Sequence, residues 1–312
     1  MRIILVKKLA KIVYGEVNFL HTKTDLADKV ILTVIYTILI GLVIVTLYPL
    51  LYVLFASFSD AGQLIANKTL LWKPLGFSLD AYKSVLANPG IGIGYKNTLF
   101  IVFFGVLVNL FMTALGAYVL SRKNVMWNNL FMFLIVFTMF FGGGLIPLYL
   151  TVKEVGLLNS LWATIIPFAI STFNLIIMRT SFMSIPDSLE ESAKIDGANH
   201  FTILFRIILP LSMPVIAVMI LYYAVDKWNG WFYASIFIQN RELFPLQLIL
   251  REILISNATD SMSTGASAGD RFQIGETIKY ATIMVATVPI LCVYPFVQRF
   301  FVKGVMVGSL KG

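Results

Sequence analysis

The chain is organised around one segment, Ile185-Pro-Asp-Ser-Leu-Glu-Glu-Ser-Ala-Lys-Ile-Asp-Gly-Ala-Asn-His-Phe-Thr-Ile-Leu-Phe-Arg-Ile-Ile-Leu-Pro210. Pro186 is expected to stop the preceding helix. Ser188 and Glu191 have the three-residue spacing of a capping box, which predicts that a new helix begins there. Gly197 is well placed to end that helix in a left-handed conformation. The segment therefore predicts one short helix before the chain becomes apolar again.

This short helix has a distinctive surface. Leu189 and Ala193 are four residues apart and therefore share one face. Glu190 and other carboxylates flank this small apolar ridge, which we expect to face the cytoplasm. A short helix of this kind, lying across the membrane surface, is suited to contact with another protein.

The composition indicates a membrane protein. Of 312 residues, 58% are hydrophobic and 13% are charged, whereas a soluble domain has about 25% charged residues. The net charge of +8 comes from basic residues scattered between long apolar runs, a pattern typical of membrane-flanking charge and not of a nucleic-acid interface. A single cysteine and two distant histidines predict no metal site.

Six windows lack Asp, Glu, Lys and Arg, and each is long enough for a helix to cross about 30 Å of hydrocarbon. Fourteen of the 24 basic residues lie in segments that a six-span topology places inside the cell. This bias predicts that both termini are cytoplasmic. The windows are Val30–Ser59, Asn97–Ser121, Asn124–Val152, Val155–Met178, Ile207–Val225 and Tyr280–Gln298.

The windows contain no charged residue of the kind that proton- or sodium-coupled carriers and ion channels place at membrane depth. The energy for uphill transport should therefore come from another subunit. The glycine-rich stretch Gly90–Asn97 lacks the Gly-Lys-Ser/Thr ending of a phosphate-binding loop. We expect no ATP-binding motif, no bound cofactor and no enzymatic activity of the chain itself.

The central segment resembles the EAA loop of binding-protein-dependent ABC importer permeases. The resemblance is carried by Glu191-Ser-Ala193, by Gly197 and by Ile207-Ile-Leu-Pro210, with Ser192 in place of the usual alanine. It extends from about Tyr95 to the C-terminus. Within the family it is closest to carbohydrate-uptake permeases similar to the smaller permease of the maltose importer, especially the subgroup for complex oligosaccharides. Three stretches support this branch: Val225-Asp-Lys-Trp-Asn-Gly-Trp-Phe232, Phe244-Pro-Leu-Gln-Leu248 and the tail Phe301–Gly312.

The resemblance implies an all-α membrane protein with six transmembrane helices, the type I ABC importer permease architecture and a cytoplasmic coupling helix. It also implies a second permease subunit, two ATPase subunits that bind ATP and Mg, and an extracellular or lipid-anchored solute-binding protein that delivers a sugar or oligosaccharide. The location would be the bacterial inner membrane. The residues expected to couple to the ATPase are Glu190, Glu191, Ser192, Ala193, Asp196, Gly197, Ala198, Ile207, Leu209 and Pro210.

These expectations divide the chain into five parts. They are a cytoplasmic segment 1–29, a first transmembrane helix 30–59, an external loop 60–94, an importer transmembrane domain 95–300 and a cytoplasmic tail 301–312. The importer domain contains the coupling loop 183–206 and an external loop 226–279, whose small polar residues are typical of a mobile tip.

Polar and aromatic residues within the spans are candidates for the substrate path, because sugar hydroxyls need polar partners and pyranose faces stack on aromatic rings. Interhelical hydrogen bonds and an aromatic belt at the membrane interface are alternative explanations. Gly142-Gly-Gly144 with Pro147 predicts either a flexible break or a fixed kink in the third span. The candidates for the substrate path are Phe168, Ser171, Asn174, Tyr222 and Trp228.

Two other functions remain open from the sequence. The importer could carry a non-sugar solute such as a peptide or polyamine. Alternatively, the chain could be a self-sufficient secondary carrier or channel, which would transport solute without an ATPase.

Overall fold

The computed structural model describes residues 26–67, 69–263, 277–292 and 295. The predicted N-terminal segment lies almost wholly outside these residues, as do the tail and much of the polar tip of the second external loop. Within the described part the chain is helical without β-strands, and Ser59 and Phe77 form an isolated bridge. The described residues divide into two compact units, one up to Tyr52 and one from Val53 onward.

Helix α1 runs from Leu26 to Ser57. Its length and apolar composition suit a membrane crossing. The hydroxyl groups of Thr33 and Thr37 each donate to the carbonyl four residues earlier, at 2.8 Å. These bonds satisfy the only polar atoms that the two side chains present, as a lipid environment requires.

Helix α4 is the centre of the second unit. The short helices α2 (Ala61–Ala66) and α3 (Asp80–Ala87) precede it, and α4 itself runs from Pro89 to Ser121. The Asn88 side chain accepts the Gly90 N–H at 2.9 Å, so α4 begins eight residues before the charge-free window does.

The next two predicted spans are bent. Helices α5 (Asn128–Phe140) and α6 (Leu145–Glu154) meet at 113° across the glycine run, where Gly144 has a φ of +84°. The third window is therefore broken and not one continuous helix. Two 3₁₀ turns, Leu161–Thr164 and Ile166–Phe168, then lead at 51° into α7, Thr172–Met183.

The remaining helices follow the central segment. They are α8 (Asp187–Ile195), α9 (His200–Ile203), a π-helical turn (Leu204–Ile208), α10 (Leu209–Leu211), α11 (Met213–Asn229), α12 (Phe232–Phe237), a 3₁₀ turn (Arg241–Leu243), α13 (Leu246–Ser263) and α14 (Thr277–Cys292). The chain turns by 87° before α11. Helices α12 and α13 occupy much of the segment 226–279 as far as Ser263.

The main core joins α4 to α7, to the π-helical turn and to α11. It buries Leu175, Phe182, Leu204 and Met219 almost completely. A second core around Leu246 joins α3 and the start of α4 to α13 and α14. The central segment therefore sits against the first core at the Ser121 end of α4.

Candidate functional site

Helix α8 begins two residues earlier than the capping box predicts, because that box would make Ser188 the N-cap residue. Pro186 occupies the N-cap position without a side-chain hydrogen bond, and Asp187 is the first helical residue. Ser188 therefore lies inside the helix, where its carbonyl accepts a hydrogen bond from the Ser192 hydroxyl at 2.9 Å. The Ser188–Glu191 capping box is wrong. Proline at the boundary sets the start instead, and Asp187 complements the helix dipole.

The end of α8 confirms the prediction for Gly197, which has a φ of +81°. The Gly197 N–H donates to the Lys194 carbonyl at 3.0 Å, and the Ala198 N–H donates to the Ala193 carbonyl at 2.9 Å. This pair of bonds defines a Schellman motif, which satisfies carbonyl groups at the helix end. Ala193 and Ala198 both pack against the main core, so the motif fixes the direction in which the chain leaves α8.

A buried ion-pair network fastens α8 to the Ser121 end of α4. Glu190 is 6% exposed and pairs with the guanidinium group of Arg122 and, at 2.9 Å, with Lys194. Arg122 also donates to the Phe182 carbonyl at 3.3 Å and to the Ser121 hydroxyl at 3.1 Å. We call Glu190, Arg122 and Lys194 the inner clamp. The expectation that the Glu190 carboxylate faces the cytoplasm is wrong, because the carboxylate points into the protein.

Burial of Glu190 by itself would raise its pKa, but the hydrogen bond from Lys194 and the charge of Arg122 outweigh burial, and the pKa is lowered. A carboxylate with a lowered pKa in the folded state contributes stability above its unfolded pKa and loses it as the pH falls through the folded pKa. The Glu190 carboxylate should therefore remain ionised throughout the physiological pH range.

The opposite face of α8 is open. Glu191, Ser192 and Asp196 are exposed. Leu189 is 43% exposed and Ile195 is 87% exposed. Sequence analysis missed Ile195, which lies about 40° around the helix from Glu191, four residues earlier, and about 120° from Leu189. The exposed face of α8 thus presents the Ile195 side chain next to the Glu191 carboxylate, which suits contact with a basic partner surface.

The Ile207–Pro210 part of the motif forms a wide helical turn. The Leu209 N–H donates to the Leu204 carbonyl, five residues back. Pro210 has no N–H for the Arg206 carbonyl, which favours this local widening. Ile207 and Leu209 are half-buried and Pro210 is exposed.

A cavity of about 600 Å³ lies between α8, α9 and the end of α4. Polar groups line it: the Tyr118 hydroxyl lies 3.1 Å from Nδ1 of His200, and Lys123 pairs with Asp187 at 2.8 Å. The charged rim is held by contacts within the chain. No group of His, Cys, Asp and Glu in the described ranges could hold a metal ion.

The candidates for the substrate path separate into different environments. Ser171 caps α7, and its N–H donates to the Tyr223 hydroxyl at 3.3 Å, which is itself 2.7 Å from the Thr113 hydroxyl. Asn174 is buried nearby. For Ser171 these contacts support the alternative explanation of interhelical hydrogen bonding.

Trp228 lies away from these residues. Its indole N–H donates to the Ala286 carbonyl at 3.3 Å, and its ring packs on Tyr95 in the second core. Tyr222 is exposed. The structure therefore does not bring the five candidates together in one pocket.

Phe168 does line a cavity of about 370 Å³, together with Trp231 and Tyr233. The ring centroids of Phe168 and Tyr233 are 4.3 Å apart. We call this cavity the outer pocket. Lys227 also lines it, and the Nζ atom of Lys227 lies 5.5 Å from the Phe168 ring centroid. Sequence analysis missed Lys227, because the charge-free window ends two residues before it.

Residues 101–307 match the family described as "Binding-protein-dependent transport system inner membrane component". The chain belongs to this family. The resemblance inferred from the EAA loop is therefore confirmed, and with it the inner-membrane location and the permease fold.

Several relatives are similar over nearly their whole length. The polygalacturonan/rhamnogalacturonan transport system permease protein YtcP of Bacillus subtilis is 43% identical over 89% of this chain and 97% of its own. The maltodextrin transport system permease protein MalD of Streptococcus pneumoniae is 30% identical over 89% and 94%. A chain from the crystal structure of a bacterial ABC transporter involved in the import of the acidic polysaccharide alginate superposes with a TM-score of 0.80. It has 32% identity over 89% of this permease and 98% of that chain.

Proposed function

We propose that this permease is one of two membrane subunits of an ATP-driven oligosaccharide importer, coupled to its ATPase through the outer face of α8. The observation that carries the proposal is the two-sidedness of α8. Its inner face is fixed to α4 by the inner clamp, and its outer face presents Glu191, Ser192 and Ile195. A helix held this way can pass a displacement of a docked ATPase to the membrane helices.

The proposed assembly contains a second permease and two ATPase subunits that hold ATP and Mg. A solute-binding protein at the outer surface delivers the sugar. The family description itself names dependence on a binding protein. No ATP-binding role is assigned to this chain, and a self-sufficient carrier or channel is the alternative that the test below must exclude.

We further propose six spans with both termini in the cytoplasm. Two unbroken helices and three bent pairs are apolar enough to cross a membrane, and α14 is a shorter apolar helix. Cysteine labelling with an impermeant reagent tests this in a Cys292→Ser background. Lys153→Cys should label from outside and Lys194→Cys should not, and the reverse pattern contradicts the topology.

For the solute, we propose an acidic oligosaccharide. Two of the similar proteins are described as transporting acidic polymers, one polygalacturonan and the other alginate. The outer pocket of this chain contains a buried lysine, Lys227. The same lysine disfavours a polyamine, which is itself cationic.

Reconstitution in liposomes tests the function as a whole. Uptake of a galacturonate oligomer should require the ATPase subunits, ATP and the loaded binding protein together. Uptake by the two permeases alone would identify a carrier or channel, and ATP-dependent uptake of peptide alone would refute the sugar assignment.

A further inference from the structure

Lys227 occupies an unusual position for a lysine. It lies in the last turn of α11 and is 5% exposed. Its aliphatic stem packs against Gly105 in the middle of α4, where an added Cβ would lie 3.2 to 3.3 Å from Cγ, Cδ and Cε of the lysine. Glycine at this position thus makes room for the lysine side chain between the helices.

The ammonium group of Lys227 is incompletely satisfied. It donates to the Thr164 carbonyl at 3.0 Å and faces the Phe168 ring. An ammonium group has three N–H donors. Among the described residues no carboxylate lies within the 4.0 Å limit of an ion pair with its Nζ. Asp226 lines the same pocket and its charge acts on Lys227, but it forms no ion pair with Nζ within that limit. A buried ammonium group without such a pair is costly, so this position favours an anionic ligand.

The surroundings of Lys227 indicate which anion fits. Phe168, Trp231 and Tyr233 line the same outer pocket, and their flat apolar rings suit the faces of a pyranose. Arg251 lies on the Trp231 ring, with its guanidinium carbon 3.6 Å from the ring centroid, and lines a separate cavity that shares Trp231. A buried cation beside aromatic rings matches a sugar chain that carries carboxylates, whereas a neutral sugar would need only the rings.

We propose that Lys227 binds a carboxylate of a uronic acid residue as the oligosaccharide passes through the outer pocket, and thereby selects acidic over neutral chains. This assignment rests on the proposed importer function and names the residue that sets its preference. The pairing is a charge-assisted hydrogen bond between Nζ and a carboxylate oxygen, and it involves no covalent step.

The test uses the complete reconstituted complex with its binding protein. Uptake of a galacturonate oligomer is compared with uptake of its methyl ester, which has the same sugars without the charge. The variants are Lys227→Met, which keeps the apolar stem, and Lys227→Arg, which keeps the charge. Lys153→Met is the control, because Lys153 is an exposed lysine at the end of α6.

Lys227→Met should lower the acid-to-ester uptake ratio about tenfold, the scale of one charge-assisted hydrogen bond. Lys227→Arg should retain most of the ratio, and Lys153→Met all of it. Dividing the variant's ratio by that of the wild type removes the binding protein's own preference.

Three results would overturn the proposal in distinguishable ways. An unchanged ratio in Lys227→Met, with the acid still transported, refutes the role of Lys227 alone. Equal loss of both solutes, or loss of the second permease from the purified complex, shows that Lys227 pairs with the protein and not with the sugar. A wild-type complex that transports only the ester refutes the acidic substrate class and the assignment of Lys227 with it.

Discussion

Replacing Gly197 by valine should uncouple the ATPase from transport by opening the end of α8. A residue with a Cβ costs about 1–2 kcal/mol in the left-handed region, which Gly197 occupies at a φ of +81°. A Cβ there would meet no atom within 4 Å, so backbone strain is the whole penalty. The two Schellman hydrogen bonds contribute about 0.5–1.5 kcal/mol each. The strain energy of valine is then nearly equal to the free energy that the two hydrogen bonds contribute, so the last turn of α8 should be unfolded for much of the time.

The assay is the ATPase rate with and without loaded binding protein, in reconstituted complexes of equal subunit content. Gly197→Val should remove most of the stimulation, whereas Gly197→Asn should retain it, because asparagine tolerates the left-handed region. Gly156 offers a matched control. It ends α6 with a φ of +74°, an open Cβ position and the same pair of hydrogen bonds, from Gly156 to Lys153 and from Leu157 to Val152.

Gly156→Val should therefore carry the same strain and leave stimulation unchanged. Wild-type stimulation in Gly197→Val would show that the direction of the chain after α8 does not matter for coupling. Equal loss in both valine variants would show that strain anywhere in the subunit is enough, and would refute the specific role of α8.

Three further outcomes are expected. Glu190→Ala leaves the mostly buried Arg122 unpaired and should destabilise the subunit by about 3 kcal/mol, which lowers the thermal midpoint of the complex. The double variant Glu190→Gln/Arg122→Met should recover most of the lost stability. An equal fall of the midpoint in both variants would refute the stabilising role of the inner clamp. Glu191→Lys reverses a charge on the exposed face of α8 and should abolish ATPase stimulation without changing membrane insertion. Ser192→Ala is the control and should leave stimulation unchanged. Normal stimulation in Glu191→Lys would show that Glu191 is not part of the docking surface. Gly105→Ala crowds the stem of Lys227 at a cost of about 1 kcal/mol and should reduce uptake of acidic oligosaccharide at unchanged subunit content. Normal uptake by this variant would show that α4 does not hold the lysine in place.

Local patterns predicted the central segment well. A glycine after a short amphipathic run predicts a left-handed helix end because only a few residues determine that geometry, and Gly197 has it. The N-cap of α8 differs from the predicted one by two residues, because two local patterns compete there. Proline at 186 prevailed over the capping box at Ser188 and Glu191.

Long-range pairing was not predictable from the pattern. Glu190 and Glu191 are adjacent carboxylates in the sequence, and only contact with Arg122, 68 residues earlier, separates a buried one from an exposed one. Lys227 was missed for a similar reason. A lysine in the last turn of a helix complements the helix dipole and is ordinarily solvated, and its burial depends on the space left by Gly105.

In the membrane spans, too, composition is predictable from the sequence and packing is not. Charge-free windows locate the apolar segments because a lipid environment favours apolar residues along the whole length of a span. They could not show that Gly144 turns the chain by 113° between α5 and α6, since the glycine run allowed either a flexible break or a fixed kink.

The buried cation at Lys227 also bears on the energetics of bringing an anion into a cell whose interior is negative. Each negative charge moved inward against the membrane potential costs about 2.3 kcal/mol per 100 mV. A fixed positive charge in the outer pocket lowers the electrostatic barrier at the entrance but leaves the total difference between the two sides unchanged. The lysine therefore affects how fast an acidic oligosaccharide enters, while the final accumulation depends on the voltage and on the ATP hydrolysed per sugar chain.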